Sequence, residues 1–434
     1  MTAYILQKMT NAPIALTLFE ATDRLGGKIH TARFDGWPAQ YEAGAAEIYD
    51  YSPVGDDPLK ELIAELGLPI SPIGGSSLIL GQQILSNLDD VRTHLGKEAS
   101  DALLSFDRAA KDSVTPFEYY TCEHKLAAPH GTSRFDALLS TIRPTTMRHY
   151  IEALIHSDLA TEPERTNVEY GLHNYLMNDP RYMTLYRIDG GNERLPRELA
   201  RRISANVRLN HVVKEIGRGE DGRLAVVSLH DGSLRRDSFD FVIIALPHNH
   251  LSQLQFRGER LATAMAAHDA HYNHPAHYLR MTVLFERPFW RAKLDDSFFM
   301  LDRFGGCCLY DEGVREPGMK FGVLGWLLGG QPALEMSHLD DATLIDAALD
   351  SLPDFLAEGR QCFLQGQVHR WPYTVNAIPG GVSMRPRSLQ HQPEPVEHPD
   401  LFIVGDYLFD STLNGVLDSA EFVAKWLASR LITM

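Results

Sequence analysis

The sequence predicts an α/β fold, with helices and strands mixed over the whole chain and arranged in two interleaved domains. Three short apolar runs, residues 14–19, 239–246 and 401–404, have the character of buried strands near the start, middle and end of the chain. Between the first two, residues 58–160 carry apolar side chains mostly at helical spacing. A length of 434 residues is enough for roughly two to three domains.

The strand-bearing segments predict one discontinuous α/β domain, made of residues 1–51, 187–252 and 396–434. The remaining residues, 53–186 and 253–395, predict a second domain of helices and strands that is inserted twice into the first.

The composition excludes several classes of protein. Lysine and arginine total 41 against 57 aspartate and glutamate, a net charge of −16, which argues against a nucleic-acid partner. The apolar runs fall far short of the ~20 residues that span a bilayer, so no transmembrane segment is expected. The N-terminus does not resemble a signal peptide. Four cysteines without a C-x-x-C spacing are expected to be reduced thiols, which predicts a cytoplasmic protein.

The individual elements are predicted from local patterns. Residues 2–9 predict the end of a helix, and Leu59, Leu62, Ile63 and Leu66 predict a helix that stops at Gly67. Strands are predicted at 207–216, 239–246, 278–285, 298–301, 321–328 and 401–404. A hairpin is predicted over 224–234, with Asp231-Gly232 at its turn. Helices are predicted at 342–356 and 417–431.

The first functional motif comes directly after the strand at 14–19. Glu20 stands at the strand end, where a carboxylate can accept both hydroxyls of a ribose. Gly26 and Gly27 allow a close backbone approach to a pyrophosphate, and Arg24 and Lys28 supply positive charge. A plain strand with a glycine turn after it is the alternative.

The second motif comes directly after the strand at 401–404. Gly405 and Asp406 stand at its end, and Gly415 opens a helix whose positive end can face an anion or an electron-rich ring. A Gly-Asp pair is common at strand ends, so the second motif alone is weak evidence for a binding site. It is stronger evidence here because it occurs together with the first motif.

Together these residues resemble the flavin-containing amine oxidase superfamily, which includes phytoene desaturase-like and protoporphyrinogen oxidase-like enzymes. Residues 206–216, 242–247 and 280–290 resemble further family segments. The resemblance implies a Rossmann-like FAD-binding domain with noncovalent FAD and a mixed helix-and-sheet substrate domain. The FAD-contacting residues it implies are Glu20, Ala21, Arg24, Gly26, Gly27, Lys28, Gly44, Ala45, Val213, Gly405, Asp406, Gly415, Val416 and Leu417.

The resemblance also implies what these residues would touch. Glu20 would bind the adenosine ribose, Val213 would lie at the adenine, and Asp406 would lie near the ribityl chain. Val416 and Leu417 would lie by the isoalloxazine. No cysteine stands near Gly380-Gly381, which is why the FAD is expected to be noncovalent.

One departure from the family is the absence of the G-x-G-x-x-G loop. Residues 1–6 resemble the family segment that comes after the third glycine of that loop, so we expect the first strand and the phosphate cradle to be missing. This predicts a start further upstream or a fragment, and the alternative is an intact protein that binds FAD poorly.

A second set of departures concerns the chemistry. Arg280 stands where the family has a lysine. It is expected either to bind an anionic substrate or stabilise reduced anionic flavin, or to form an ion pair with a nearby acid. Val416 replaces one aromatic residue of monoamine oxidases, and residues 376–379 contain no aromatic that could replace the other.

Four histidines are spaced by three residues: His268, His271, His274 and His277. Because Pro275 interrupts any common helix, we expect turn and pocket histidines and no metal site. His274 and His277 remain candidates for proton transfer, since imidazole titrates near neutrality.

The predicted activity is FAD-dependent oxidation of a small or medium organic substrate, namely an amine, an amino acid or a polyene, by hydride transfer. One alternative is a truncated or non-catalytic relative that acts as a binding protein, and another is a carotenoid desaturase or isomerase. The sequence does not give the oligomeric state.

Overall fold

The structure is a computed structural model of the chain. It describes all residues except 11, 54, 76, 122–133, 316–317, 377–384, 410 and 433–434. Cys122, one of the four cysteines, and the Gly380-Gly381 pair lie outside the described residues.

Helices are spread over the whole described chain. They are α1 (Thr2–Met9), α2 (Pro58–Glu65), α3 (Leu88–Leu95), α4 (Lys97–Ser113), α5 (Pro116–Thr121), α6 (Phe135–Leu139), α7 (Thr145–Leu159), α8 (Val168–Leu176), α9 (Arg194–Arg202), α10 (His248–Leu251), α11 (Glu259–Tyr272), α12 (Gly330–Met336), α13 (Asp341–Asp350), α14 (Gly359–Cys362), α15 (Arg387–His391) and α16 (Leu413–Ile432).

Strands alternate with these helices, which confirms the mixed α/β class. They are β1 (Thr17–Phe19), β2 (Thr31–Arg33), β3 (Gln40–Glu42), β4 (Ile48–Asp50), β5 (Ile70–Ile73), β6 (Leu78–Leu80), β7 (Gln83–Leu85), β8 (Thr184–Ile188), β9 (Asn206–Arg208), β10 (Val212–Arg218), β11 (Leu224–His230), β12 (Ser233–Phe239), β13 (Val242–Ile244), β14 (Gln255–Arg257), β15 (Pro275–Phe285), β16 (Phe298–Leu301), β17 (Cys307–Asp311), β18 (Gly322–Gly329), β19 (Phe363–Asn376) and β20 (Leu401–Ile403).

Two parallel strand pairs bring distant parts of the chain together. β1 pairs with β9, and β13 pairs with β20, each in parallel register. Among the described residues each pair is a sheet of its own. Helices α1 and α16 pack against one another beside β20, with Leu6 in the same apolar cluster as Phe402, Val423 and Leu427. The chain segments directly after β1 and β20 are the ones that carry the two sequence motifs.

The largest sheet has seven strands, in the order β19-β15-β18-β17-β16-β6-β7. One apolar cluster on this sheet contains the fully buried Trp290 and Trp326. Another packs helices α4, α7 and α8 against Met300, Cys308 and Tyr310 on the sheet. The sheet therefore supports a helical layer, and the candidate site lies at the boundary between them.

Several local predictions are confirmed with their physical cause. The hairpin of β11 and β12 turns at Asp231 (φ 48°) and Gly232 (φ 74°), the two positive φ angles that a type I′ turn requires. Helix α2 begins where the buried Asp57 carboxylate accepts hydrogen bonds from the N–H groups of Leu59 and Lys60, and it ends before Gly67 (φ 72°).

Three predictions about elements were wrong. Residues 70–85, expected within a mostly helical region, form β5, β6 and β7. The strand expected over 207–216 is interrupted, because Asn210 (φ 58°) turns the chain between β9 and β10. The 14-residue β19 was not predicted, since its alternation is weak and Pro372 lies within it.

In the described part of the chain, no helix combines the length and the apolar character needed to cross a membrane.

Candidate active site

The loop after β1 holds the first group of predicted residues. Glu20 Oε1 accepts hydrogen bonds from the backbone N–H and the hydroxyl of Thr22, both at 2.8 Å. The Arg24 guanidinium donates to the carbonyl oxygens of Ile29 (3.1 Å) and Gly27 (2.7 Å), so it closes this loop on itself. The carboxylate at the strand end is thereby held in one orientation, and one of its oxygens accepts no hydrogen bond within the loop.

Val213 is linked to the Glu20 loop through the residues that precede it. The His211 N–H donates to the Glu20 carbonyl at 2.8 Å, and the Asn210 N–H donates to the Thr22 carbonyl at 2.9 Å. A bulge comes after Val213 in the pairing of β10 with β11. The predicted adenine-contacting residue therefore lies close in the chain to the residues that hold the predicted ribose-binding carboxylate.

Two glycines in this region stand where a side chain would collide. A Cβ on Gly44 would lie 1.9 Å from the Lys28 carbonyl oxygen. A Cβ on Gly26, whose φ is 123°, would lie 3.0 Å from the Ile29 carbonyl oxygen. The Ala45 N–H donates to the Lys28 carbonyl at 3.0 Å. The loop and the segment at 44–45 thus lie backbone to backbone, whereas a Cβ on Gly27 would meet nothing within 4 Å.

Lys28 joins the first motif to the second. Its Nζ forms an ion pair with the Asp406 carboxylate, which is buried, and also donates to the Thr374 carbonyl at 3.1 Å. The chain just after β20 is further fixed by the Gly405 N–H, which donates to Ser419 Oγ at 3.0 Å. The structure therefore brings the two motifs into one place.

Helix α16 begins beside this ion pair. The Thr412 hydroxyl accepts from the Gly415 N–H, and the Thr412 carbonyl accepts from the Val416 N–H, both at 3.0 Å. Its positive end and its first N–H groups suit an anion or an electron-rich ring. Leu417 is buried in the core with Leu59 and Ile188, so its side chain serves packing.

A cavity of about 80 Å³ opens next to the start of α16. Its described lining comprises Tyr49, Tyr51, Tyr119, Asp158, Leu159, Ala160, Tyr170, His173, Asn174, Met177, Tyr278, Val375, Asn376, Ser411 and Thr412. Asn376 and Ser411 are tied together by two hydrogen bonds of 3.3 and 3.2 Å, and the Ser411 N–H donates to the Asp406 carbonyl. The cavity wall is therefore continuous with the residues predicted to bind the cofactor.

Arg280 is fully buried and lies outside this described lining. It forms an ion pair with the buried Glu312, and its guanidinium stacks over the Tyr310 ring at 4.9 Å. Its Nε and Nη1 atoms have no hydrogen-bond partner among the described residues. Pairing with a nearby acid is therefore seen among the described residues, and a contact of Arg280 with substrate or flavin remains a prediction.

His274 and His277 lie at the edge of the cavity. The His274 N–H donates to the side chain of Asn376 at 3.2 Å, and His277 Nδ1 accepts from the Tyr373 N–H at 3.1 Å. Burial lowers the pKa of both imidazoles, which favours the neutral form. Each residue is next to the cavity wall, and neither contributes to its described lining.

The other two histidines of the series are on α11. His268 is fully buried, its Nε2 is 3.0 Å from the Tyr407 hydroxyl, and burial lowers its pKa to about 3. Among the described residues no group of three or more His, Cys, Asp or Glu side chains is placed to hold a metal ion.

Sequence reasoning missed the acid of the cavity. Asp158 is in the last turn of α7, and burial raises the pKa of its carboxyl to about 8, with the neighbouring Glu47 adding to the effect. The sequence carries no clear signal for it, because Asp158 directly follows the polar residues His156 and Ser157. The tyrosines come from separate parts of the chain and carry no common sequence pattern.

The residues present fit a flavin dinucleotide. The strand-end carboxylate suits a ribose, a Cβ on Gly27 (φ 54°) would enter open space, and the positive end of the α16 dipole suits an anion. An acid after a parallel strand together with a glycine-lined approach is typical of dinucleotide-binding oxidoreductases.

The family is established by the sequence. Residues 1–427 match the flavin-containing amine oxidoreductases, and the chain belongs to that family. This confirms the predicted resemblance, the oxidoreductase class and the cofactor, FAD.

Solved structures of the same fold agree. A putrescine oxidase triple mutant superposes with a TM-score of 0.73 at 19% identity, covering 99% of this chain and 96% of that one. Cyclohexylamine oxidase from Brevibacterium oxydans IH-35A gives a TM-score of 0.72 at 18% identity, with the same coverage. Wild-type putrescine oxidase bound to putrescine gives 0.70 at 19% identity, again with that coverage. At these identities the likeness shows the fold.

Proposed function

We propose that this protein is an FAD-dependent amine oxidase that acts on a small amine. The observation that carries the proposal is the shared wall between the cavity and the predicted cofactor residues. Lys28 donates to the Thr374 carbonyl, and the next two residues, Val375 and Asn376, line the cavity. A molecule in the cavity would therefore lie beside whatever these cofactor residues hold.

The cofactor is assigned to the residues predicted from sequence. Glu20 would hold the adenosine ribose, the backbone around Gly26, Gly27 and Gly44 would face the pyrophosphate, and the start of α16 would face the ring system. When bound, FAD supplies a two-electron acceptor for the hydride equivalent removed from the carbon that bears the amine. Noncovalent binding remains our expectation, since Cys307, Cys308 and Cys362 are all buried.

The cavity chemistry supports an amine over the other two substrate classes. An amino acid would need a cation for its carboxylate, yet the charge of Arg280 is already matched by Glu312. A polyene would need an apolar tunnel, whereas tyrosine hydroxyls, amides and a carboxylate line this cavity. Amines are also the compounds named for the similar structures, putrescine oxidase and cyclohexylamine oxidase.

The chain's own residues have three tasks in this scheme. The tyrosine rings exclude bulk water, the Ser411 hydroxyl and the Asn376 backbone fix the wall beside α16, and Asp158 supplies a carboxyl group. Burial keeps the Tyr49 and Tyr278 hydroxyls protonated by raising the pKa of each well above its usual value, so both remain hydrogen-bond donors.

The test is the visible absorption spectrum of the 434-residue protein after purification with added FAD. We expect near-stoichiometric flavin that is released on heat denaturation, and bleaching of the flavin band when a primary amine is added without oxygen. Bleaching by amino acids alone would contradict the amine assignment. A folded protein that takes up no FAD would contradict the proposal and favour a non-catalytic binding protein.

A matched pair of variants keeps the test specific. Lys28→Met removes the ion pair with Asp406 and should lower FAD retention, whereas Lys425→Met removes an exposed pair with Glu421 and should not. Equal retention in both variants would count against the assigned cofactor site.

A further inference from the structure

Asp158 occupies an electrostatically unfavourable place for a carboxylate. It lies in the last turn of α7, which ends at Ala160 in a left-handed conformation (φ 56°). The negative end of the helix dipole therefore faces a negative side chain. Asp158 forms no hydrogen bond or ion pair with the described residues, and it lines the cavity.

The groups around Asp158 add to this negative potential. Glu47, whose carboxylate accepts a hydrogen bond from the Tyr310 hydroxyl at 2.7 Å, lies near enough to act on the Asp158 carboxyl. The described lining contains no lysine or arginine. Arg280, which stacks on the Tyr310 ring, is compensated by Glu312. The described cavity lining thus offers no cation to compensate the Asp158 carboxyl when it ionises.

Aromatic residues line the same space. Five tyrosines line the cavity, and Tyr49 and Tyr278 lie close enough to Asp158 for its charge to raise their pKa values further. Tyrosine rings attract cations through the negative potential of their faces, and the attraction grows when water is excluded. A carboxylate within a cage of tyrosines is the chemistry that recognises an organic ammonium ion.

We infer that Asp158 and the surrounding tyrosines form a recognition site for a protonated amino group of the substrate. The identity of the ligand as a substrate rests on the proposed function, whereas the cation preference rests on the cavity alone. Two sources share this chemistry: a second amino group at the far end of a diamine, and the reacting amine before it loses its proton.

The direct test uses a cation that cannot be oxidised. tert-Butylammonium has no hydrogen on the carbon next to nitrogen, and tert-butanol is its neutral counterpart of similar shape. Binding of each compound to the FAD-loaded protein is measured by calorimetry at about pH 7. The variants are Asp158→Asn and, as a control on the same helix, Glu152→Gln, which removes a carboxylate that pairs with Arg148 and does not line the cavity.

We expect the wild-type protein to bind tert-butylammonium at least tenfold more tightly than tert-butanol. Asp158→Asn should weaken cation binding about tenfold or more, and Glu152→Gln should leave it unchanged. Cation binding should also release a proton in the wild-type protein and not in Asp158→Asn, an effect that a merely structural role would not produce. Equal binding of the two compounds, or unchanged cation binding in Asp158→Asn, would overturn the inference.

Steady-state kinetics then distinguish the sources. If Asp158→Asn raises KM for butane-1,4-diamine and leaves KM for butylamine unchanged, the site holds a second amino group. If both KM values rise equally, it holds the reacting amine. A protein that oxidises no amine yet loses cation binding in Asp158→Asn would contradict the proposed function and support this inference.

Discussion

Lys28 and Asp406 form an ion pair although 378 positions separate them in the sequence. One residue lies in the loop after β1 and the other directly after β20. The pair is partly buried, with 29% of the lysine side chain and 8% of the aspartate side chain exposed. It fixes the relative position of the two motifs that were recognised separately, so neither motif forms a complete site without the other.

The variant Lys28→Met should lower the free energy of unfolding by about 1–3 kcal/mol, because it leaves the buried Asp406 carboxylate without its cation. Urea unfolding of the protein without FAD, followed by circular dichroism, measures the change. Lys425→Met, which affects an exposed pair, should change stability by less than about 0.5 kcal/mol. Similar losses of unfolding free energy in the two variants would show that the buried pair stabilises the protein no more than an exposed pair does.

Gly44→Ala should destabilise the protein by about 2–3 kcal/mol or more, since the new Cβ would lie 1.9 Å from the Lys28 carbonyl oxygen and the two segments would have to separate. Thermal unfolding gives the size of the effect. Gly74→Ala is the matched control, because a Cβ there meets nothing within 4 Å and the backbone is not in the left-handed region. An unchanged melting temperature for Gly44→Ala would contradict the close approach of the two backbones.

The buried ion pair of Arg280 and Glu312 predicts that substitutions of the two residues have non-additive effects on the free energy of unfolding. Arg280→Met should cost about 3–5 kcal/mol, because the carboxylate of Glu312 keeps its charge and loses the compensating guanidinium. The double variant Arg280→Met with Glu312→Gln should recover a large part of that loss. A double-mutant cycle from chemical denaturation measures the coupling, and additive effects of the two changes would rule it out.

Asp158 predicts a pH dependence of stability. Because the folded protein raises its pKa from 3.8 to about 8, the folded state holds a proton there that the unfolded state has released. Stability is therefore lost as the pH rises from about 4 to 8, by at most about 1.4 kcal/mol per pH unit. The groups that face this carboxyl are Glu47, Tyr49, Tyr170, Tyr278, Cys308 and Tyr310.

Asp158→Asn isolates this contribution. The variant should match the wild-type protein at or below about pH 4 and exceed its stability by a few kcal/mol near about pH 9, since the amide does not ionise. Denaturant midpoints measured across this range test the expectation, with Glu152→Gln as the control that should follow the wild-type curve. Parallel curves for Asp158→Asn and wild type would place the carboxyl in a solvated environment.

The parts of the fold that sequence reasoning recovered are those with strong local causes. The hairpin at Asp231-Gly232 needs two positive φ angles, and the glycine stop at Gly67 needs one. The parts that failed depend on distant partners. β5 pairs with β8, β6 pairs with β16 in addition to its local hairpin with β7, and β19 is a strand because β15 supplies its ladder. Nothing within those segments specifies the partner.

The residues of the candidate site also fall into two groups, those that local sequence could suggest and those that depend on distant parts of the chain. Candidate cofactor residues could be proposed from the sequence, since a strand-end acid and glycines have chemical meanings that survive without coordinates, and their contacts with FAD remain a prediction. Whether Arg280 would meet a substrate or an acid could not be predicted, because Glu312 reaches it through the folding of the seven-stranded sheet. Asp158 could not be predicted either, since a cavity made from several elements has no counterpart in the linear sequence.

The packing of α1 against α16 has a consequence for how the protein is made. These helices come from the two ends of the described chain, and β20 lies beside them. During synthesis α1 therefore remains without this partner until α16 has left the ribosome. Cofactor uptake would then be a late event in biogenesis, and a bound flavin would report that translation had passed α16.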